Sequence, residues 1–206
     1  MNFNDLTARF QSILNRDDCT PDNAAIYLQD SMARVTREAR LPDMERSQVT
    51  VVIDQPMTFL AIPPDLIQVI DLYAVDLPGR APDKPLDLVS QRQLMGYAPS
   101  ALPAVYSRFS GQFNFRGSIP PGASVVLYYY GEFPDIVRGE DANPLTASNP
   151  DLVIYGALSF AGDVFDHPST DKWEARYQQI LGQVQGLAVD LDANGGSTSI
   201  SPMYQD

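Results

Sequence analysis

Asn149-Pro150-Asp151-Leu152-Val153-Ile154-Tyr155-Gly156-Ala157-Leu158 is the stretch on which the fold turns. Proline suits the first turn of a helix, where its missing N–H has no partner to lose, and asparagine just before it is a favoured cap residue. The spacing predicts a helix beginning at Pro150. Val153, Gly156, Ala157, Phe160, Ala161 and Val164 form one stripe, while Leu152, Tyr155, Leu158 and Phe165 populate the other faces. A helix apolar nearly all round is expected at the centre of a fold or between subunits. Its small residues, Gly156 among them, let another backbone approach closely, in internal packing or in a subunit contact.

Working outward, Trp173, Tyr177, Ile180, Leu181, Val184 and Leu187 repeat at helical spacing, so a second helix is expected to fold back through a turn at Asp166 to Thr170. The other end of the chain has the same texture. Phe3, Leu6, Phe10, Ile13 and Leu14 mark a short amphipathic helix. Thr20 and Pro21 then open a helix over about residues 21–40, with Leu28, Met32, Val35 and Ala39 as its apolar stripe until Pro42. Arg34, Arg37, Glu38 and Arg40 on its opposite side read most simply as a solvated face, the alternative being a basic patch that meets an acidic neighbour.

Between these helical ends the period changes. Val49 to Ile53 and Phe59 to Ile62 are short β-prone runs around Asp54-Gln55-Pro56 and read as a hairpin. Leu66 to Val75 reads as a half-buried strand, Leu77 to Pro85 as a surface loop, and Ser90 as the cap of a short helix through Met95. Ala104 to Phe109, Gln112 to Arg116 and Ser124 to Tyr130 are three more strands with glycine and proline turns between them. The expected fold is therefore α+β. Residues 1–48 and 149–190 form a helical bundle, 49–131 an inserted antiparallel β-sandwich or open barrel, and 132–148 a polar linker. Residues 191–206, rich in Gly, Ser, Asn and Thr, are expected to be a flexible arm. Near its end Ile200, Pro202, Met203 and Tyr204 cluster as an apolar patch, as in an arm that orders on a partner.

Composition narrows the function. The 206 residues are 44% hydrophobic, as in globular proteins, and no run approaches the roughly 18 apolar residues of a membrane span. Met1 to Arg9 lack the layout of a secretory signal, so folding in a cytoplasm is expected. Cys19 is the only cysteine, which removes intramolecular disulfides and multi-cysteine zinc sites. With 26 acidic against 14 basic residues the net charge is -12, a field that repels phosphate and argues against sequence-specific DNA binding. Asp166-His167-Pro168-Ser169 places triad residue types side by side, but triads are assembled from separate segments, and a helix-connecting turn accounts for these four. Asp190-Leu191-Asp192-Ala193-Asn194-Gly195-Gly196 begins like a calcium loop without the closing glutamate. No catalytic residue, metal or cofactor is expected.

The order of features resembles the tailed-phage head-to-tail connector adaptors, including the podoviral tail tubular protein A type and related head completion proteins. Ile62-Pro63-Pro64-Asp65-Leu66 leading into a strand, Leu127-Tyr128-Tyr129-Tyr130 followed by Phe133-Pro134, and the block from Asn149 to Leu158 with Ala161, Trp173 and Tyr177 carry the likeness over about residues 1–190. Tyr155, Gly156, Trp173 and Tyr177 belong to the block that looks like that family's closing helix pair. The resemblance implies a non-enzymatic virion subunit, assembled in the host cytoplasm into a ring of twelve copies. Such a ring binds the portal, extends the DNA channel and docks a downstream tail or nozzle protein. It also implies that Ile200, Pro202, Met203 and Tyr204 anchor a portal-binding arm. In that setting the acidity gains a second meaning, since negative walls let DNA slide without sticking. The aromatic residues of the insertion leave a rival from another class, a carbohydrate-binding or wall-degrading virion component, or else another tail or baseplate subunit.

Overall fold

A computed structural model describes residues 1–77, 84–98, 102–136 and 139–195, with side chains up to 188. The chain divides into two compact units, a helical one of residues 1–43 and 133–206 and a β-rich one of residues 44–132.

The helical unit begins with α1 (Phe3–Leu14) and α2 (Pro21–Glu38). Asn2 caps α1, its side-chain oxygen accepting the Asp5 N–H at 2.8 Å, and Asn15 ends it in the left-handed conformation at φ 51°. Phe3, Leu6, Phe10 and Leu14 are buried on one face. Thr20 caps α2 as its position predicts, accepting from Asn23 N–H, and Ala24, Leu28, Met32 and Val35 face inward.

The β unit holds strands β1 (Glu45–Val51), β2 (Met57–Ala61), β3 (Leu66–Val75) and β4 (Asp87–Leu88), the helix α3 (Gln91–Gly96), and β5 (Val105–Phe109), β6 (Gln112–Ile119) and β7 (Ser124–Gly131). These make two sheets, β1-β7-β3 and β2-β6-β5-β4, antiparallel except for the parallel pair β4–β5. Leu72, Val125 and Leu127 from the first and Leu60, Phe113 and Ile119 from the second share one core, so the insertion is a sandwich. Ser110 and Gly111, both at positive φ, form the tight turn of the β5–β6 hairpin, where the left-handed conformation matches strand twist.

The hairpin expected from Val49 to Ile62 does not form. β1 pairs with β7 and β2 with β6, so the two runs lie in different sheets. Beyond β1 the Val52 N–H donates to Ala123 O at 2.9 Å and Gly122 N–H to Val52 O at 2.8 Å, which ties the strand's end to the loop before β7. With those backbone groups engaged, Asp54-Gln55-Pro56 carries the chain across to the second sheet instead of back along the first. Strand β3 is also subtler than its sequence alternation. A register shift between Val69 and Asp71 inserts Ile70, so Val69 faces the core on one side of it and Leu72 and Ala74 on the other.

The chain returns to the helical unit through α4 (Pro144–Ser148), α5 (Pro150–Val164) and α6 (Thr170–Gly195). Residues 132–148, read from sequence as a polar linker, contain built structure. Asn143 is buried and reciprocally capped with Thr146, and Leu145 and Thr146 are buried beneath α5. Gly139 and Asp141 carbonyls accept the Asn4 and Phe3 N–H groups, two of the donors that the first turn of α1 leaves without helical partners. Asn149 does not cap α5 with its side chain. Its N–H closes α4 on Leu145 O and its amide donates to Ser148 Oγ, because so short a link between α4 and α5 makes one residue end the first helix and begin the second. α5 is the central helix, packed by α1, α2, α4 and α6. α6 runs back along it and stays helical to Gly195, past the change in composition at Asp192.

Candidate functional site

The helical unit is locked where α2, α5 and α6 meet. Ser31 on α2 is fully buried and donates to Val153 O on α5 at 2.7 Å. Gly156, one turn on, is a glycine by necessity. A Cβ there would collide with Ser31 Oγ and press on the Tyr177 ring at 3.2 Å. Tyr177 on α6 is wholly buried, and its hydroxyl donates to Glu38 at 2.7 Å. The Arg34 guanidinium lies 4.1 Å from the centre of that ring and grips Glu174 with two hydrogen bonds of 2.8 and 2.7 Å. A third, from Nε, reaches Glu38 at 2.9 Å.

Arg34 is therefore not part of a solvated face: its side chain is 15% exposed, because α6 brings a carboxylate and an aromatic ring to it. The geometry shifts all three titrating partners. Bonds to Glu174 raise Arg34, and the bonds from Arg34 hold the Glu174 carboxyl at about 2 against the opposing effect of burial. Burial first, then the bond to Glu38, pushes the Tyr177 phenol upward. Arg37 and Glu38 are exposed, while Arg40 folds back to donate to the Thr36 and Ala39 carbonyls at the end of α2.

Trp173, nearly buried, stacks on His167 with ring centres 4.5 Å apart. His167 Nδ1 accepts the Ser169 N–H, so this histidine, with Asp166 at φ 49°, builds the turn between α5 and α6. Tyr155 is half-buried on α5 and stands apart from the Arg34 cluster in its bonding. Ile200, Pro202, Met203 and Tyr204 lie outside the described residues.

In the β unit the two sequence landmarks Pro63-Pro64-Asp65-Leu66 and Tyr128-Tyr129-Tyr130 come together. Tyr129 donates its hydroxyl to Asp65 at 3.2 Å, and the Glu132 N–H donates to Asp65 O at 2.8 Å. Gly131 fits between them, since a Cβ would stand 2.8 Å from an Asp65 carboxylate oxygen. The outward side of β1-β7-β3 carries exposed apolar side chains beside Asp71 and Glu45. Val49, Val51 and Ile53 are exposed, and Tyr73 and Tyr128 meet edge to face at 6.0 Å on the rim of a concavity of about 250 Å³. Sequence reading had these residues as strand but could not say which side the second sheet would cover.

Charge is divided unequally. The helical unit's residues hold 18 acidic against 8 basic, a net of -10, and the β unit's 8 against 6, a net of -2. Among the described residues no group of three or more His, Cys, Asp or Glu side chains is placed to hold a metal ion, and no helix is long and apolar enough to cross a membrane.

A family model described as SU10 adaptor protein matches residues 1–201. The chain belongs to the SU10 adaptor protein family. No curated protein matches it. As an SU10 adaptor it is a phage adaptor and a virion protein that interacts with other head or tail proteins. The adaptor match spans both units.

Proposed function

We propose that this adaptor is a structural, non-catalytic ring subunit of the head-to-tail connector, twelve copies seated on the portal, extending the DNA channel and docking the next tail or nozzle protein. Membership of the SU10 adaptor family over residues 1–201 carries this reading. The charge of the chain supports it. A net of -10 on the helical unit disfavours tight phosphate contacts, so DNA passes during packaging and ejection without being held. In this reading the subunits assemble in the host cytoplasm. Residues Ile200, Pro202, Met203 and Tyr204 attach each copy to the portal.

Electron microscopy of the protein mixed with its portal is the test. A ring on the portal is the expected result, and free single copies at saturating concentration would overturn the proposal. Deleting residues 196–206 is expected to weaken attachment while leaving the helical signal in circular dichroism unchanged. Undiminished attachment would remove the arm from the account.

A further inference from the structure

The β unit shows unlike faces on the two sides of its sandwich. Strand alternation points every second residue away from the shared core, and the register reads the outward face of β1-β7-β3 row by row. Val49, Val126 and Tyr73 lie across one row, and Val51, Ser124 and Val75 across the next. On the other side of the first row lie Ser47, Tyr128 and Asp71, with Glu45 beyond them at the start of β1. This face is apolar at one end and carboxylate-bearing at the other, and none of its registered positions is Lys or Arg. Val49 is 60% exposed and Tyr128 43%, and a concavity lined by Asp71, Tyr73, Val75, Val126 and Tyr128 opens on this face.

The other outward face, β2-β6-β5-β4 with α3 laid on it, has apolar groups in a basic setting. Phe59 pairs with Asn114, whose neighbours Phe113 and Phe115 point to the core, so Phe59 points out. Phe109 stands at the tip of the β5–β6 hairpin, 59% exposed, and Met95 and Tyr97 are exposed at the end of α3. Arg92 is exposed on α3, and Arg116 reaches the same side, its Nε donating to Tyr97 O at 2.8 Å. Asp87 on β4 adds a carboxylate to this side.

Neither face suits its own kind. Face to like face would desolvate Asp71 and Glu45 with no Lys or Arg among the registered positions facing them, and would leave Arg92 and Arg116 to share Asp87. Unlike faces pair carboxylate with guanidinium and lay apolar on apolar. We infer that adjoining copies of this chain meet head to tail through the β unit, the β1-β7-β3 face of one copy seated on the α3-covered face of the next. Phe109 is the knob and the Tyr73–Tyr128 concavity its socket.

The occupant is a second copy because the complementary surface is present on the chain itself. The β unit, at a net of -2, is also where copies approach with least repulsion. Head-to-tail contacts close into rings when the rotation allows, and twelve copies turn about 30° at each step. The contact patches on one subunit must then be nearly opposite, as the two sides of a sandwich are. This inference rests on the ring reading above and names its contact.

Sedimentation of the full chain, alone and with portal, tests it using Tyr128→Glu and Phe109→Glu, each of which blocks one face. The wild type is expected to form rings in at least one condition, and each variant to associate at least about 30-fold more weakly, as for aromatic hot spots. Mixed together the variants retain one working face each and should stop at a one-to-one dimer. Asp71→Arg and Arg92→Glu should each weaken rings and, combined in one chain, recover them. Both aromatic side chains are exposed, so unchanged circular dichroism separates lost contact from lost fold; Val49→Glu repeats the test if a variant unfolds. Wild-type rings with variants that still assemble, or variants that fail to pair when mixed, would overturn the contact and leave the ring standing. A wild type that forms no ring in either condition would overturn the ring reading and this inference with it.

Discussion

The two units break the usual inside–outside rule in opposite directions. The helical unit draws an arginine inward, laying Arg34 over the buried Tyr177 ring and between Glu174 and Glu38, while the β unit pushes Val49, Val51, Ile53 and Tyr128 outward. Buried charge and exposed apolar surface are the informative exceptions in a folded protein. Here they assign different work to each unit. A charged lock gives α2, α5 and α6 one arrangement, and an open apolar face offers a surface that folding by itself does not require. The contrast teaches that stability and assembly reside in different residues of this adaptor, so they can be damaged separately.

Four measurements break or sharpen that contrast. The largest effect is expected from Phe113→Ala in the sandwich core, where a fully buried ring leaves a cavity costing about 3–5 kcal/mol. Trp173 is the chain's single tryptophan and lies in the helical unit, so its fluorescence should keep its transition while circular dichroism shows an earlier one for the β unit. A shifted Trp173 transition would mean that the units do not unfold separately.

Arg34→Met comes next. It leaves two carboxylates at Tyr177 without their cation, and the expected cost is ~2 kcal/mol, below the range for fully buried pairs because both carboxylates are 37% exposed. Here the Trp173 transition in urea should move and the β-unit transition should not.

The third is pH dependence. The folded Glu174 carboxyl, at about 2, lies below its unfolded value of 4.5, so its contribution is present in full above about pH 4.5 and is lost as the pH falls towards 2. Acid titration of the helical unit should show this loss, and Glu174→Gln should flatten the slope across that window. An unchanged slope would detach the lock from acid sensitivity. The smallest effect belongs to Val51→Thr on the open face, within about 0.5 kcal/mol of wild type in denaturant unfolding. A larger loss would show that the face is already covered within one copy.

Sequence by itself determined what local chemistry determines. Period and caps placed α1, α2 and the α5–α6 hairpin, because a helix's apolar stripe and its Thr20 or Pro150 signals lie within a few residues of each other. Ser90 likewise announced α3, and its capping box with Gln93 is present. Apart from the two-residue β4, which was not read as a strand, the strands were legible one by one from their β-prone runs. Gly156 and Tyr177 were visible as members of helical stripes, though not as partners in one lock.

Tertiary structure alone decided the rest. β1 and β2 part into different sheets because Val52 is bound by Gly122 and Ala123, some seventy residues away in sequence. Residues 139–148 fold onto the bundle, where the Gly139 and Asp141 carbonyls meet distant N–H groups of α1. Arg34 leaves the solvent because α6 delivers Glu174 and Tyr177 to it, a placement that the composition of α2 cannot express. The outward face of β1-β7-β3 is apolar in one dimension of sequence and open only in three. Alternation tells which residues share a side, but only the packing of the second sheet selects the side that is covered.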